Sequence, residues 1–224
     1  MSQVIHVKEI RAAFEAKGYE TATDARIFSP GEIWYRHKSS TESLVKVVNL
    51  DYKPYSKAYS VHVGVFNPVV KTIVFSKWDQ LRTLINPLRF NEVYLYYYCW
   101  HKFDAGRASI SGGASLLPDP LNRDSWRVSF DSIFLDFIDK YFSAISDDVG
   151  IFRLLMRADK PFEWFLSNPV LRAAEIVVLG KVAGMQEDEI AESLIRIPDL
   201  SAAALPEFEN WHEIVNSLTD LYIN

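Results

Sequence analysis

The segment "AYSVHVGVF", residues 58–66, carries the clearest secondary-structure signal in the chain. Its residues alternate between two faces, and one face holds aromatic and β-branched side chains, namely Tyr59, Val61, Val63 and Val65. An apolar residue at every second position is typical of a β-strand that covers a hydrophobic core. We therefore predict a strand over residues 58–66 with this face turned inward.

Two segments of similar composition precede this strand. They are "GEIWYRH", residues 31–37, and "SLVKVVNL", residues 43–50, and the polar turn Lys38-Ser39-Ser40-Thr41-Glu42 separates them. Short polar connections between consecutive strands are typical of an antiparallel meander. The three segments together predict an antiparallel sheet.

A fourth strand is predicted at "NEVYLYYYCWHK", residues 91–102, which contains four tyrosines, one tryptophan and Cys99. Aromatic or apolar side chains occupy both faces, so we expect a central strand that is covered on both sides. Two interpretations remain open. The segment is a buried core strand, or one aromatic face lines a groove or an interface, where Tyr and Trp are enriched.

Helical periodicity occurs before, between and after the strands. We expect a first helix over residues 5–17, with Gly18 at its C-cap, and a short helix over 76–85, capped by Ser76. From residue 126 onward apolar residues recur at intervals of three and four. This pattern predicts helices over 130–145, 149–156, 168–184 and 186–197, and a last helix that begins at Pro206.

These elements predict an α+β fold: an antiparallel sheet of four or more strands with flanking helices, followed by a helical C-terminal half. Residues 104–125 are rich in glycine and proline, and we interpret them as a loop between a sheet-rich part, 1–125, and a helical part, 126–224. The loop is not a long flexible linker. We therefore expect residues 1–224 to form a single domain.

Composition indicates a cytoplasmic, reduced protein. Cys99 is the only cysteine, so the chain forms no internal disulfide. Charged residues interrupt the N-terminal segment, which differs in this respect from a signal peptide. No run approaches the roughly 20 apolar residues that a membrane span requires, so we expect no membrane association. The sequence carries no signal for an oligomeric state.

Charge is divided unevenly along the chain. Residues 1–110 contain 15 Lys and Arg against 10 Asp and Glu, a net charge of +5. Residues 111–224 contain 9 against 19, a net charge of −10, which accounts for the total of −5. A basic partner is therefore expected to meet the second half of the chain.

Local motifs of catalysis are missing from the sequence. "GKVAG", residues 180–184, ends a predicted helix and does not follow a strand, unlike a phosphate-binding loop. "HEIVN", residues 212–216, has Asn216 where a zinc-protease helix needs its second histidine. We predict no catalytic residue, no cofactor and no metal site, although catalytic residues dispersed in sequence would leave no local motif.

Two groups of carboxylates are the candidate partner-binding residues. Glu187, Asp188, Glu189 and Glu192 lie in the first turns of a predicted helix, and Asp131, Asp136 and Asp139 lie on the polar face of another. Carboxylates in such positions are often solvated or favour the helix dipole. The alternative is a docking surface for a basic partner.

The segment "WYRHKSSTESLVKVVNLDYKPYSKAYSVHVGVF", residues 34–66, is similar to an uncharacterised bacterial family, domain of unknown function 4304. Val47, Val48, Asn49, Leu50 and Gly64 match the short strand motifs of that family, and Trp126 before a helix also fits. His62 departs from the family's usual asparagine, and the helical C-terminal half extends beyond the resemblance. The resemblance implies an α+β bacterial protein of the kind that is often encoded among toxin and immunity genes, but it identifies no catalytic residue.

The leading functional hypothesis is a non-catalytic binding protein, most specifically an immunity-type inhibitor that blocks a basic toxin domain. An enzyme with a dispersed active site and unknown substrate is the first alternative. A nucleic-acid-binding protein is the second, since the first half carries a net charge of +5, but the pI of about 5.6 argues against it.

Cys99 should be unreactive in the native protein, because a mid-strand thiol between Tyr98 and Trp100 is enclosed by apolar side chains. A bulky thiol reagent should label it only in denaturant. Rapid labelling without denaturant would contradict the central strand at residues 91–102.

Overall fold

The computed structural model describes residues 2–22, 33–41, 43–53, 58–85, 107–109, 117–118, 123–143, 145–157, 168–200 and 206–223. Over these ranges an antiparallel sheet is accompanied by helices, and the second half of the chain is mainly helical. The predicted α+β class is therefore confirmed. The strand predicted at residues 91–102, with Cys99, lies outside the described residues.

The described strands form one antiparallel sheet. They are β1 (Tyr19–Thr21), β2 (Ile33–His37), β3 (Val45–Lys53), β4 (Ala58–Phe66), β5 (Arg107–Ser109) and β6 (Leu117–Pro118). The strand order is β1-β2-β3-β4-β5, and β6 pairs with β4 as well. The predicted meander is confirmed as β2, β3 and β4. β1 was missed, because a strand of three residues is too short to show alternation.

The β3–β4 ladder is the longest part of the sheet. Nine consecutive residue pairs join the two strands, from Val45 opposite Phe66 to Lys53 opposite Ala58. The face of β4 that was predicted to turn inward is buried, whereas Ser60 on the other face is only half-buried. Burial of β-branched side chains on this face is the main physical reason for the strand register.

The loop predicted at residues 104–125 requires a correction. Arg107–Ser109 and Leu117–Pro118 within it are strands, and they pair with opposite ends of β4. The glycines and prolines of residues 104–125 suggested a loop. The formation of strands this short depends on pairing with a long neighbouring strand rather than on their own composition. These two segments therefore belong to the sheet.

The described helices account for most of the second half of the chain. They are α1 (Ser2–Ala16), α2 (Pro68–Ser76), α3 (Trp78–Leu81), α4 (Arg123–Ile133), α5 (Asp139–Ser143), α6 (Asp148–Leu155), α7 (Pro169–Val182), α8 (Glu187–Ile195) and α9 (Trp211–Tyr222). The first helix ends as predicted, since Gly18 follows it with a φ of 86°, a conformation that favours glycine.

The helix predicted at residues 76–85 is confirmed in part, because α3 (Trp78–Leu81) and a 3₁₀ turn, Arg82–Leu84, lie within that range. The helix before it was missed. A helix already begins at Pro68, where the Asn67 side chain accepts hydrogen bonds from the backbone N–H groups of Val69 and Val70. Ser76 ends this helix instead of capping the next one, and its hydroxyl donates to the carbonyl of Ile73. The β-branched residues after Pro68 had masked the Asn-Pro start signal.

Three other features of the helices differ from the prediction. α4 begins at Arg123, inside the predicted loop, and not at residue 130. Pro206–Asn210 is a 3₁₀ turn, and the α-helix begins only at Trp211. A π-helical turn, Phe134–Ile138, joins α4 to α5 where an unbroken helix was expected. A wide turn is a local interruption that apolar periodicity does not distinguish from a regular helix.

The π turn follows from the spacing of the buried residues. Trp126, Phe130, Phe134 and Ile138 are buried and lie four residues apart. In an α-helix each step of four residues advances about 40° around the axis, so this stripe would rotate away from the core. The wider π turn accommodates the extra residue and keeps Phe134 and Ile138 on the core side.

α7 is the central helix of the second half. Every residue from Pro169 to Gly180 is buried, and α2, α6, α8 and α9 all contact the helix. The Asn168 side chain caps its start, as predicted, by accepting a hydrogen bond from the N–H of Leu171 at 3.1 Å. Gly180 is required by packing, because a Cβ there would lie 2.6 Å from the Ile190 side chain of α8.

Trp211→Ala should lower the free energy of unfolding by about 3–5 kcal/mol. The Trp211 side chain is 7% exposed, and its indole N–H donates to the carbonyl of Leu194 at 2.9 Å. Trp211→Phe should cost less, because it restores most of the volume and loses only the hydrogen bond. Urea unfolding checks both values. The exposed neighbour His212→Ala is the control, and a similar small effect of W211A and H212A would contradict the packing.

Candidate binding surfaces

The first candidate surface is the group of carboxylates on α8, which we call the α8 carboxylate cluster: Glu187, Asp188, Glu189 and Glu192. All four residues are exposed, and none forms an ion pair or a side-chain hydrogen bond with a described residue. Three of them lie in the first turn, where the helix dipole favours negative charge. The cluster therefore presents its full charge to solvent.

An apolar side chain lies at the other end of the same helix. Ile195 is 66% exposed, in the last turn of α8, while Ile190 and Leu194 are buried. Since single exposed apolar residues are common, Ile195 alone indicates little. Together with the cluster, however, it gives α8 an outer face that combines negative charge with one apolar contact.

The second candidate surface, the α4–α5 carboxylate face, consists of Asp131, Asp136 and Asp139. All three are exposed, as expected for a polar helix face. Asp131 forms an ion pair with Lys17 at 3.3 Å, and Asp136 lies 3.6 Å from the ammonium of Lys140. Two of the three charges are thus compensated within the chain, which makes this face a weaker source of negative potential than the α8 carboxylate cluster.

Asp139 belongs to a polar group that the sequence did not reveal. Its charge acts on His37, which lies at the end of β2. The His37 Nδ1 atom accepts the N–H of Ser39 at 3.1 Å, so the neutral ring carries its proton on Nε2. Asp139 and His37 are remote in sequence, and only the packing of helix against sheet brings them together.

The pKa of His37 lies below its ordinary value. Burial of the ring is the main cause, and the nearby Lys46 ammonium lowers the pKa further. The Asp139 carboxylate acts in the opposite direction but does not outweigh them. His37 is therefore a neutral group at a helix–sheet contact, with a cation and an anion near it.

Lys46 has a structural role at the same contact. Its ammonium donates a hydrogen bond to the carbonyl of Phe142, in the last turn of α5, at 3.1 Å and lies 5.7 Å from the centre of the Phe142 ring. Burial lowers the pKa of Lys46. A cation at a helix C-terminus stabilises the unpaired carbonyls there, so Lys46 links β3 to α5.

A cleft of about 490 Å³ lies between α1 and α4. Its described lining comprises Glu9, Ala12, Ala13, Ala16 and Lys17 from α1, and Trp126, Arg127, Phe130 and Asp131 from α4. This cleft could not be predicted from local sequence patterns, because its two walls are more than 100 residues apart. The three alanines on one face of α1 were the only local signal.

The described ranges contain no group of three or more His, Cys, Asp or Glu side chains arranged to hold a metal ion. Within the same ranges, each helix is too short or too polar to cross a membrane.

Comparisons with protein-family models, with curated proteins and with solved structures find no match to this chain. The resemblance to domain of unknown function 4304 stays a prediction. The surfaces described above therefore rest on their geometry and charge alone.

His37 should make stability depend on pH. Because its pKa is lowered in the folded protein, the unfolded chain binds a proton first as the pH falls below about 6.5. The free energy of unfolding should therefore fall in that range, until the folded protein is protonated as well. His37→Gln should lose less stability than wild type between about pH 7.5 and pH 5.

The measurement is urea unfolding at several pH values. His212→Gln, which replaces an exposed histidine on α9, is the matched control and should follow wild type. Equal pH dependence of H37Q and wild type would show that His37 titrates alike in the folded and unfolded chains.

Proposed function

We propose that this chain is a non-catalytic binding protein that recognises a basic protein partner through the α8 carboxylate cluster. The observation that carries the proposal is the exposure of four carboxylates within two helical turns, none of them paired with a described residue. Exposed charge of one sign, left uncompensated, increases the association rate with a partner of opposite charge.

The partner that fits best is a bacterial toxin domain that acts on nucleic acid, which makes this chain an immunity-type inhibitor. Such a domain has a basic face, because it must bind a phosphate backbone. A carboxylate surface can occupy that face and exclude the substrate. The charge of −10 on residues 111–224 and the resemblance of residues 34–66 support this proposal.

Reversal of the cluster to lysine, at Glu187, Asp188, Glu189 and Glu192, should slow association with the cognate toxin about tenfold or more at low salt. The salt dependence of the association rate should also become flatter, since less charge attraction is left to screen. The fold should persist, because all four side chains are exposed. Stopped-flow association over a range of ionic strengths measures both effects.

A matched control separates local charge from total charge. Reversal of four exposed carboxylates on other elements, Glu15, Glu20, Asp79 and Glu209, changes the net charge by the same amount and should slow association less. Equal association rates for the two variants would contradict recognition through α8. If no protein partner binds and the chain turns over a small molecule, the binding function is wrong.

A further inference from the structure

The cleft between α1 and α4 has the size of a small-molecule site. Its volume of about 490 Å³ falls within the range of roughly 300–1,000 Å³ that is usual for such sites. The space exists because α1 presents alanines, Ala12, Ala13 and Ala16, opposite the large aromatic residues of α4. Methyl groups on one wall leave a gap that larger side chains would fill.

The aromatic wall of the cleft is formed by closely packed rings. The rings of Trp126 and Phe130 stack with their centroids 5.1 Å apart, and Phe130 packs edge-on against Phe14 at 5.4 Å. Both Trp126 and Phe130 are buried in the core. A ligand would therefore find this wall already formed and would spend little free energy on ordering it.

The charged residues of the cleft favour a ligand with a negative charge. Lys17 is neutralised by Asp131, at 3.3 Å, and also lies over the Phe134 ring at 5.4 Å. Arg127 is exposed and forms no ion pair or hydrogen bond with a described residue. The guanidinium of Arg127 is thus available to an anion, and its planar shape suits a carboxylate.

The remaining carboxylate of the cleft favours a ligand with a single negative charge. Glu9 also lines the cleft and repels a dianion, such as a phosphate monoester, more strongly than a monoanion. A monoanion can pair with Arg127 at the rim while its apolar part lies between the alanines and the aromatic wall.

We propose that the α1–α4 cleft binds a small organic monoanion with a flat apolar body, of the class of aromatic carboxylates. The site is separate from the α8 carboxylate cluster, because α1 and α4 form it. It would give the chain a second ligand besides a protein partner.

The test uses 1-naphthoate as the probe and 1-naphthylmethanol as its uncharged analogue, with binding measured by isothermal titration calorimetry. Wild type should bind one naphthoate more tightly than the alcohol. Ala12→Phe should weaken naphthoate more than tenfold, because Ala12 is exposed in the cleft and a phenyl ring there fills it. Arg127→Gln should weaken naphthoate about tenfold and leave the alcohol unchanged.

Matched controls are Ala191→Phe on α8 and Arg153→Gln on α6, both of which replace exposed residues outside the cleft. They should bind naphthoate as wild type does, and thermal melting followed by circular dichroism should show all four variants folded. Failure of naphthoate to bind wild type at millimolar concentration overturns the proposal. The proposal is also overturned if A12F and A191F bind naphthoate with equal affinity, or if R127Q and R153Q do.

Discussion

Burial of α7 on every side, from Pro169 to Gly180, is the constraint on which the helical half depends. A helix without a solvent-facing side must be covered from every direction, and α2, α6, α8 and α9 provide that cover. The close approach of α8 is possible only because position 180 has no side chain. Once α8 lies against α7 through Ile190 and Leu194, its remaining face must point to solvent, and that face carries the carboxylate cluster.

The sheet is connected to the helical half mainly by aromatic packing. The Phe14 ring of α1 stacks on Tyr35 of β2 with centroids 4.0 Å apart, and its edges meet Phe130 and Phe134. One side chain thus contacts the first helix, the sheet and the α4 region. Such ring pairs contribute about 0.5–1.5 kcal/mol each beyond their buried area, which favours one fixed arrangement of these elements.

Charges reinforce the same connection. Lys17 with Asp131, and Lys46 with the end of α5, place cations of the first half against anions or carbonyls of the second. The opposite net charges of the two halves are therefore partly satisfied inside the chain. The four α8 carboxylates form no ion pair with a described residue, and for this reason they have more to contribute to recognition than those of α4 and α5.

The sequence predicted those features that depend on nearby residues. Alternation revealed the strand at residues 58–66, and the pair Asn168-Pro169 marked the start of α7. Features that depend on residues distant in the chain could not be predicted from it. β5 and β6 form because β4 offers a free edge on the side away from β3, and the helix at Pro68 was hidden by β-branched residues that favour a strand.

The candidate sites likewise differ in whether they depend on nearby or on distant residues. The α8 carboxylate cluster is contiguous in sequence, so its position could be predicted together with its exposure. The α1–α4 cleft and the electrostatic influence of Asp139 on His37 involve residues that are far apart in the chain. No local pattern encodes them, because they exist only after the helices have packed on the sheet.

The direction in which the α4 wall of the cleft faces depends on the number of residues in the helix that contains the π turn. Removing one residue from Phe134–Ile138 would let the helix continue as a regular α-helix, with the residues on both sides facing as before. Removing one residue from the regular turns of α4 would instead turn everything before the deletion by about 100° relative to everything after it. Trp126 would then leave the core and the α4 wall would face elsewhere. At exposed positions the outcome should thus differ: Leu135 should tolerate a deletion, whereas Val128 should tolerate a substitution but not a deletion.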